Sequence, residues 1–123
     1  MHEFSVTSQI VQSVLEEAKK RGAKKVLEVH LVIGSLTLLG IDQVRFSYEM
    51  LAENTIMKGS RLFIKRRAAR VNCGGCGYKG AMRFRKSPLY HIRSPTLACP
   101  RCGSAVEIVE GKECLIRSIK IEV

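Results

Sequence analysis

Four of the five cysteines stand in two pairs of the same spacing, Cys73-x2-Cys76 and Cys99-x2-Cys102, with 22 residues between the pairs. A two-residue spacer lets one tight turn aim both sulfurs at one point. Two such turns supply four sulfurs to a tetrahedral Zn(II). Gly77 and Gly103 follow the second cysteine of each pair, where a metal knuckle often needs a positive φ. Pro100 pre-sets the turn after Cys99. Three chemistries compete for these thiols. Structural zinc is favoured, because four protein thiolates leave no open position for catalysis. A disulfide or redox pair suits an oxidising compartment or a hyperthermophile. A catalytic cysteine requires a partnering base, and none stands out in the chain. Zinc also explains how residues 71–105 fold, since that stretch is poor in large apolar side chains and small modules need a staple.

Met1-His2-Glu3 offers a second set of donors. A free α-amine and the His2 amide nitrogen close a five-membered ring on a metal, and the His2 imidazole closes another. Glu3 adds an amide or a carboxylate. A nitrogen-rich, near-planar set suits Ni(II) or Cu(II). It requires a neutral imidazole and deprotonated donors, so binding weakens as pH falls. By spacing alone the signal is weak, and a disordered terminus is the alternative.

Both sets need elements to position them. Val6, Ile10, Val11, Val14, Leu15 and Ala18 recur at helical spacing and predict a helix over about 5–21. Ser5 is its expected N-cap, and Lys19, Lys20, Arg21 and Gly22 mark its close. Leu27, Val29, Leu31 and Ile33 share one face of a strand, with Glu28 and His30 on the other and Gly34 at its end. Leu36, Leu38 and Leu39 belong to a connection expected to stay packed. Ile41, Val44, Tyr48 and Leu51 predict a second helix over about 42–53. Arg61 to Lys65 alternates as a second strand, and a strand–helix–strand unit of this length implies a parallel pair. Leu115, Arg117, Ile119, Ile121 and Val123 alternate as a third strand, with Arg117 near its edge. Cys114 reads as a small buried hydrophobe. His30 and His91 read as non-ligands, because four sulfurs already complete a tetrahedron.

The third strand is too short to be a domain and needs the core made by the earlier residues. The expected fold class is therefore α+β: two helices packed on a three-stranded mixed sheet, with an inserted four-cysteine, zinc-ribbon-like module. Residues 1–70 plus 111–123 form the discontinuous α/β domain, and 71–110 form the insertion. No stretch approaches the length needed to cross a bilayer. The N-terminus carries Glu3 and no basic region before an apolar run, so no signal peptide is expected. A reducing, cytoplasmic compartment follows.

Formal charge is +10. From Asn54 to Val106 there are 12 Lys or Arg and no Asp or Glu, while the rest of the chain is near neutral. The cysteine half and the strand leading into it are thus the basic half. Such a field attracts acidic surfaces or phosphate backbones.

Met1-His2-Glu3 joined to a helix, a strand ending Leu31-Val32-Ile33-Gly34, the paired knuckles and a final Ile116-Arg117-Ser118-Ile119-Lys120-Ile121 strand resembles the HypA family of hydrogenase nickel-incorporation proteins over the whole length. The resemblance implies a nickel metallochaperone acting in [NiFe]-hydrogenase maturation with a HypB-like GTPase and the hydrogenase large subunit; some members also serve urease. It implies Met1, His2 and Glu3 as the Ni(II) site, with nickel as cargo. It implies Cys73, Cys76, Cys99 and Cys102 as ligands of a structural Zn(II). Where the family often has Gly-Glu-Leu-Ser, this chain has Gly34-Ser35-Leu36-Thr37. Where some bacterial members place a histidine after a knuckle cysteine, it has Gly77 and Gly103. The longer inter-pair spacing looks more like archaeal members. A monomer and a homodimer are both open, since inserted modules can exchange between protomers.

No nucleophile, base and oxyanion site assemble in the sequence, and there is no phosphate-binding lysine loop. A carrier rather than an enzyme is expected. The alternative is a zinc-ribbon nucleic-acid binder, which the uncompensated cations would suit. Against it, Tyr78, Phe84 and Tyr90 form no stacking row, and over half the chain is a separate α/β unit.

Overall fold

Helix α1 spans His2–Lys20. It starts three residues earlier than the Ser5 cap predicts, so Ser5 lies inside the first turns. The reason is tertiary: the Glu3 carboxylate accepts the Gly40 N–H at 3.2 Å, and an acidic group in the first turn also suits the positive end of the helix dipole. The helix closes at the expected glycine, with the Ala23 N–H on the Ala18 carbonyl and the Gly22 N–H on that of Lys19. The computed structural model describes residues 2–82, 84–86, 93–95 and 97–123, with side chains left out at His2, 84–86 and 93–95.

Strand β1 (Lys25–Gly34) and a short 3-10 turn (Ser35–Thr37) lead to α2 (Ile41–Ala52) and β2 (Arg61–Arg67). Strands β3 (Arg70–Asn72), β4 (Lys79–Ala81), β5 (Phe84–Lys86), β6 (Arg93–Pro95) and β7 (Glu107–Glu110) follow, and β8 (Cys114–Glu122) returns. Three sheets result, with strand orders β2-β1-β8, β4-β3-β7 and β5-β6.

The chain divides into two compact units. One comprises residues 1–33, 38–66 and 114–123; the other comprises 34–37 and 67–113. In the first, β1 is central and pairs antiparallel with β8. Val14 and Ala18 of α1, Val44 and Tyr48 of α2, and Val26, Val29, Leu31 and Ile33 of β1 form one buried core, with Ile116, Ile119 and Ile121 packed on it. The fold is α+β, two helices on a three-stranded sheet, as the spacing predicts.

The strand faces differ in detail. The β1–β8 register shifts between Val26 and Glu28 and again between His30 and Leu31. The first shift skips Leu27, so Val26 rather than Leu27 joins Val29 in the core. The second skips Arg117 on β8, so Ile116 faces inward and Leu115 is 44% exposed. Each extra residue flips the alternation that a strict period of two predicts. Cys114 is exposed rather than buried, because it opens the outermost strand of this sheet.

In the second unit, Ala69, Val71 and Met82 form a small core with Leu36, Tyr78, Val106 and Ile108 around it. Residues 34–37 belong here rather than with the first unit. The Leu36 N–H donates to the Gly111 carbonyl at 2.8 Å, and the Ala69 N–H donates to Ser35 Oγ at 3.1 Å. Arg67 pairs with Glu113 at 3.0 Å. These contacts set the boundaries at 66/67 and 113/114, a few residues outside the 70/71 and 110/111 read from the sequence. Of the three leucines expected to stay packed, Leu36 and Leu39 do, whereas Leu38 is 67% exposed with φ 57°.

Candidate metal centre

The two knuckles are built by one repeated backbone pattern. Around the first pair, the Gly77 N–H donates to the Cys73 carbonyl at 3.0 Å, and the Cys73 N–H to that of Tyr78 at 2.8 Å. Around the second, Gly103 donates to Cys99 at 2.9 Å, and Cys99 to Ser104 at 2.7 Å. Both turns need a left-handed residue after the second cysteine, and Gly77 and Gly103 supply it with φ of 78° and 77°. The Arg101 N–H also points at Cys99 Sγ, 3.3 Å away.

The four sulfurs converge, all within 4.8 Å of one another. Cys73 Sγ lies 3.5 Å from Cys102 Sγ, and Cys76 Sγ lies 3.6 Å from Cys99 Sγ. A tetrahedron of thiolates about 2.3 Å from zinc has edges of about 3.8 Å, so the cluster is close to the size the ion requires. Cys73 and Cys99 are buried, Cys76 and Cys102 exposed. The thiols differ in acidity. The Ser104 hydroxyl and N–H, then Cys73, lower Cys102 to about 6. The Tyr78 N–H pulls Cys76 down, but Cys99, partial desolvation, Cys102 and Cys73 outweigh it and push Cys76 up to about 12. Four like charges this close do not all form unaided. A divalent cation is what lets every sulfur ionise together, and four sulfurs leave it no open position. Ser104 and Tyr78 were not singled out in the sequence as partners of the thiols; their place directly after each knuckle glycine is the signal that marks them.

Of the amino-terminal donors, Met1 and the His2 imidazole lie outside the described residues. The backbone of His2 begins α1. The Glu3 carboxylate is engaged with Gly40, which caps α2 without a side-chain bond of its own. His91 and Tyr90 also lie outside the described residues. His30 is not among the residues grouped with the cysteine set: it meets Glu28 at 3.0 Å and stacks on Phe63, with ring centroids 4.6 Å apart.

Comparison with known proteins supports this reading. The family described as "Hydrogenase/urease nickel incorporation, metallochaperone, hypA" matches residues 1–121. The "Hydrogenase maturation factor HypA" of Methanopyrus kandleri is 38% identical, covering 100% of this chain and 94% of that protein. The protein of the same name from Caldanaerobacter subterraneus subsp. tengcongensis is 39% identical, covering 99% and 100%. A solution structure of HypA protein aligns with a TM-score of 0.67 at 25% identity, covering 98% of this chain and 96% of the other. The solution structure of the Ni metallochaperone HypA from Helicobacter pylori aligns at 0.63 and 23%, covering 98% and 97%, and shares the fold. With its paired knuckles, its two helices on a three-stranded sheet and a family match along nearly the whole sequence, this chain belongs to the HypA family of nickel-incorporation metallochaperones.

Proposed function

We propose that this chain carries Ni(II) at its amino terminus and delivers it for [NiFe]-hydrogenase maturation, working in the cytoplasm with a HypB-like GTPase and the hydrogenase large subunit. It acts as a carrier, not as a catalyst. The donors are the Met1 amine, the amide nitrogens of His2 and Glu3, and the His2 imidazole. Cys73, Cys76, Cys99 and Cys102 hold a structural Zn(II), which fixes the two knuckles and takes no part in transfer.

One observation carries the nickel assignment: α1 starts at His2. The amides of His2 and Glu3 therefore lie in the first turn of a helix, next in sequence to the Met1 amine. The positive end of the helix dipole also favours a deprotonated, anionic amide there. The Glu3 carboxylate is already held by Gly40, which leaves the Glu3 amide as that residue's contribution. The family match does not favour the nucleic-acid alternative.

The test is a Ni(II) titration of zinc-loaded, untagged protein beside His2→Ala and an amine-acetylated form. Loss of one spectroscopically distinct nickel site in both supports the assignment. Unchanged binding in both, or nickel displacing zinc from the thiolates, refutes it.

A further inference from the structure

The three-stranded sheet of the first unit has two faces. Val29, Leu31, Ile64, Leu62 and Ile119 face the helices. The alternate positions carry Glu28 and His30 on β1, Arg61, Phe63 and Lys65 on β2, and Ser118 and Lys120 on β8. Among the described residues both helices pack on the other side.

This outer face is partly organised. His30 is held by Glu28 through Nε2 at 3.0 Å and lies flat on Phe63, the ring planes 10° apart. Glu28 is thereby engaged, and Lys120 and Arg61 are close enough to act on its charge. Phe63 remains 41% exposed. A cavity of about 400 Å³ opens beside the ring pair, walled by His30, Phe63, Lys65, Arg45 and Arg117. Arg45 is braced by a bond to the Leu62 carbonyl at 2.8 Å. Arg117 is the residue that the register shift leaves out of the ladder. Among the described residues, Arg45, Lys65 and Arg117 pair with no carboxylate. The cavity thus offers a flat aromatic surface and three cations, with no carboxylate among its described lining residues.

We infer that this face is a docking site for an acidic, extended segment of a partner protein, with an apolar or aromatic side chain seated on the Phe63–His30 pair and carboxylates reaching Lys65, Arg45 and Arg117. Charge decides the chemistry: three unpaired cations around a cavity select an anionic visitor. The aromatic surface decides the class. A single ring pair gives one anchor and not the row of platforms on which successive bases of a single strand stack. One aromatic anchor sheltered by surrounding contacts is the usual form of a protein hot spot, and the cations add selectivity for an acidic partner. Direct pairing along the β8 edge is a poorer mode, because the Arg117 bulge and Lys120 are the features that keep an edge from recruiting strands.

The experiment needs no nickel. Zinc-loaded full-length protein is titrated with a short synthetic peptide of glutamates around one central phenylalanine. The same peptide with lysines, the all-glutamate peptide and an oligothymidylate of matched charge serve as probes alongside it. Amide and ring shifts are followed by NMR, and affinity by fluorescence anisotropy across salt. Shifts centred on His30, Phe63, Lys65 and Arg117 are expected, with affinity falling at least about tenfold in Arg117→Glu and in Phe63→Ala. Phe63→Leu should retain part of it, and a matching wild-type amide spectrum establishes that each variant is folded. Binding that ignores these substitutions, shifts confined to the cysteine unit, or an oligothymidylate that binds this face more tightly than the peptide would overturn the inference.

Discussion

Cys73 of one knuckle meets Cys102 of the other with sulfurs 3.5 Å apart, and Cys76 mirrors this with Cys99 at 3.6 Å. Each short contact therefore joins two segments separated by more than twenty residues. An ion bridging them would close a long loop, which is where a covalent or metal clip constrains the unfolded chain most.

Losing one sulfur should dismantle that unit alone. Cys102→Ser is expected to lose bound zinc, and amide protection should vanish across β3, β4 and β7. The helical signal of α1 and α2 should remain, because their core contains no cysteine. Structural zinc supplies roughly 10–16 kcal/mol in small modules, far more than the small Ala69–Val71–Met82 core can replace. Elemental analysis and hydrogen exchange check this. Full zinc content with unchanged protection would sink it.

Gly111 is a close backbone approach within the second unit. It has φ of 110°, and a Cβ there would sit 2.7 Å from the Ala69 Cα. Gly111→Ala must therefore strain the backbone and push β3 away. A loss of at least about 2 kcal/mol is expected, read as a lower denaturant midpoint for the second unit. A midpoint within error of wild type would contradict the close approach.

The Glu28 carboxyl is held below its ordinary value of 4.5, first by its hydrogen bond to His30 and then by the charges of Lys120, His30 and Arg61 acting against partial desolvation. A carboxyl lowered on folding contributes stability that is full above its unfolded pKa and is lost as pH falls through the folded one. Carboxyl titration by NMR should place the Glu28 midpoint below 4.5. In His30→Ala the midpoint should rise towards the ordinary value. An unmoved midpoint would show that the His30 bond is not the dominant cause.

Glu3 separates two roles. Glu3→Ala removes the acceptor for the Gly40 N–H and should cost about 0.5–1.5 kcal/mol, seen as a lower Tm. If the amide rather than the carboxylate is the nickel donor, the variant keeps its nickel site with an unchanged coordination spectrum. Loss of the site with Tm preserved would reverse that assignment.

Much of this structure is legible in the residues. Each knuckle is local: cysteine spacing and the glycine after each pair dictate the turn and its φ, which marks Gly77 and Gly103 from the residues alone. The helix faces follow their 3.6-residue repeat. What escaped is what depends on pairing between distant segments. Leu27 and Arg117 are skipped only because β1 and β8 meet in a shifted register, and no period within either strand records that. The start of α1 moved because Gly40 lies against Glu3, a contact between residues 37 positions apart. Leu36 packs with Ala69 and Val71 for the same kind of reason. The His30–Phe63 stack joins two strands that the strand–helix–strand unit places side by side, but no spacing within either strand brings these two rings together.

The pairing of β8 with β1 has a consequence for how the protein is made. A ribosome releases α1, β1, α2 and β2 first, then the whole cysteine unit, and only afterwards the strand that covers the remaining side of β1. Until then, the nascent chain holds a bare strand edge and an unfilled hydrophobic seam where Ile116, Ile119 and Ile121 will sit, the condition in which partly made proteins stick to one another. Prompt metal capture by the four cysteines would bring the chain ends of the inserted unit together and shorten the effective loop that β8 must close. Metal starvation during synthesis should therefore show itself as aggregation of the first unit, although that unit contains none of the four clustered sulfurs.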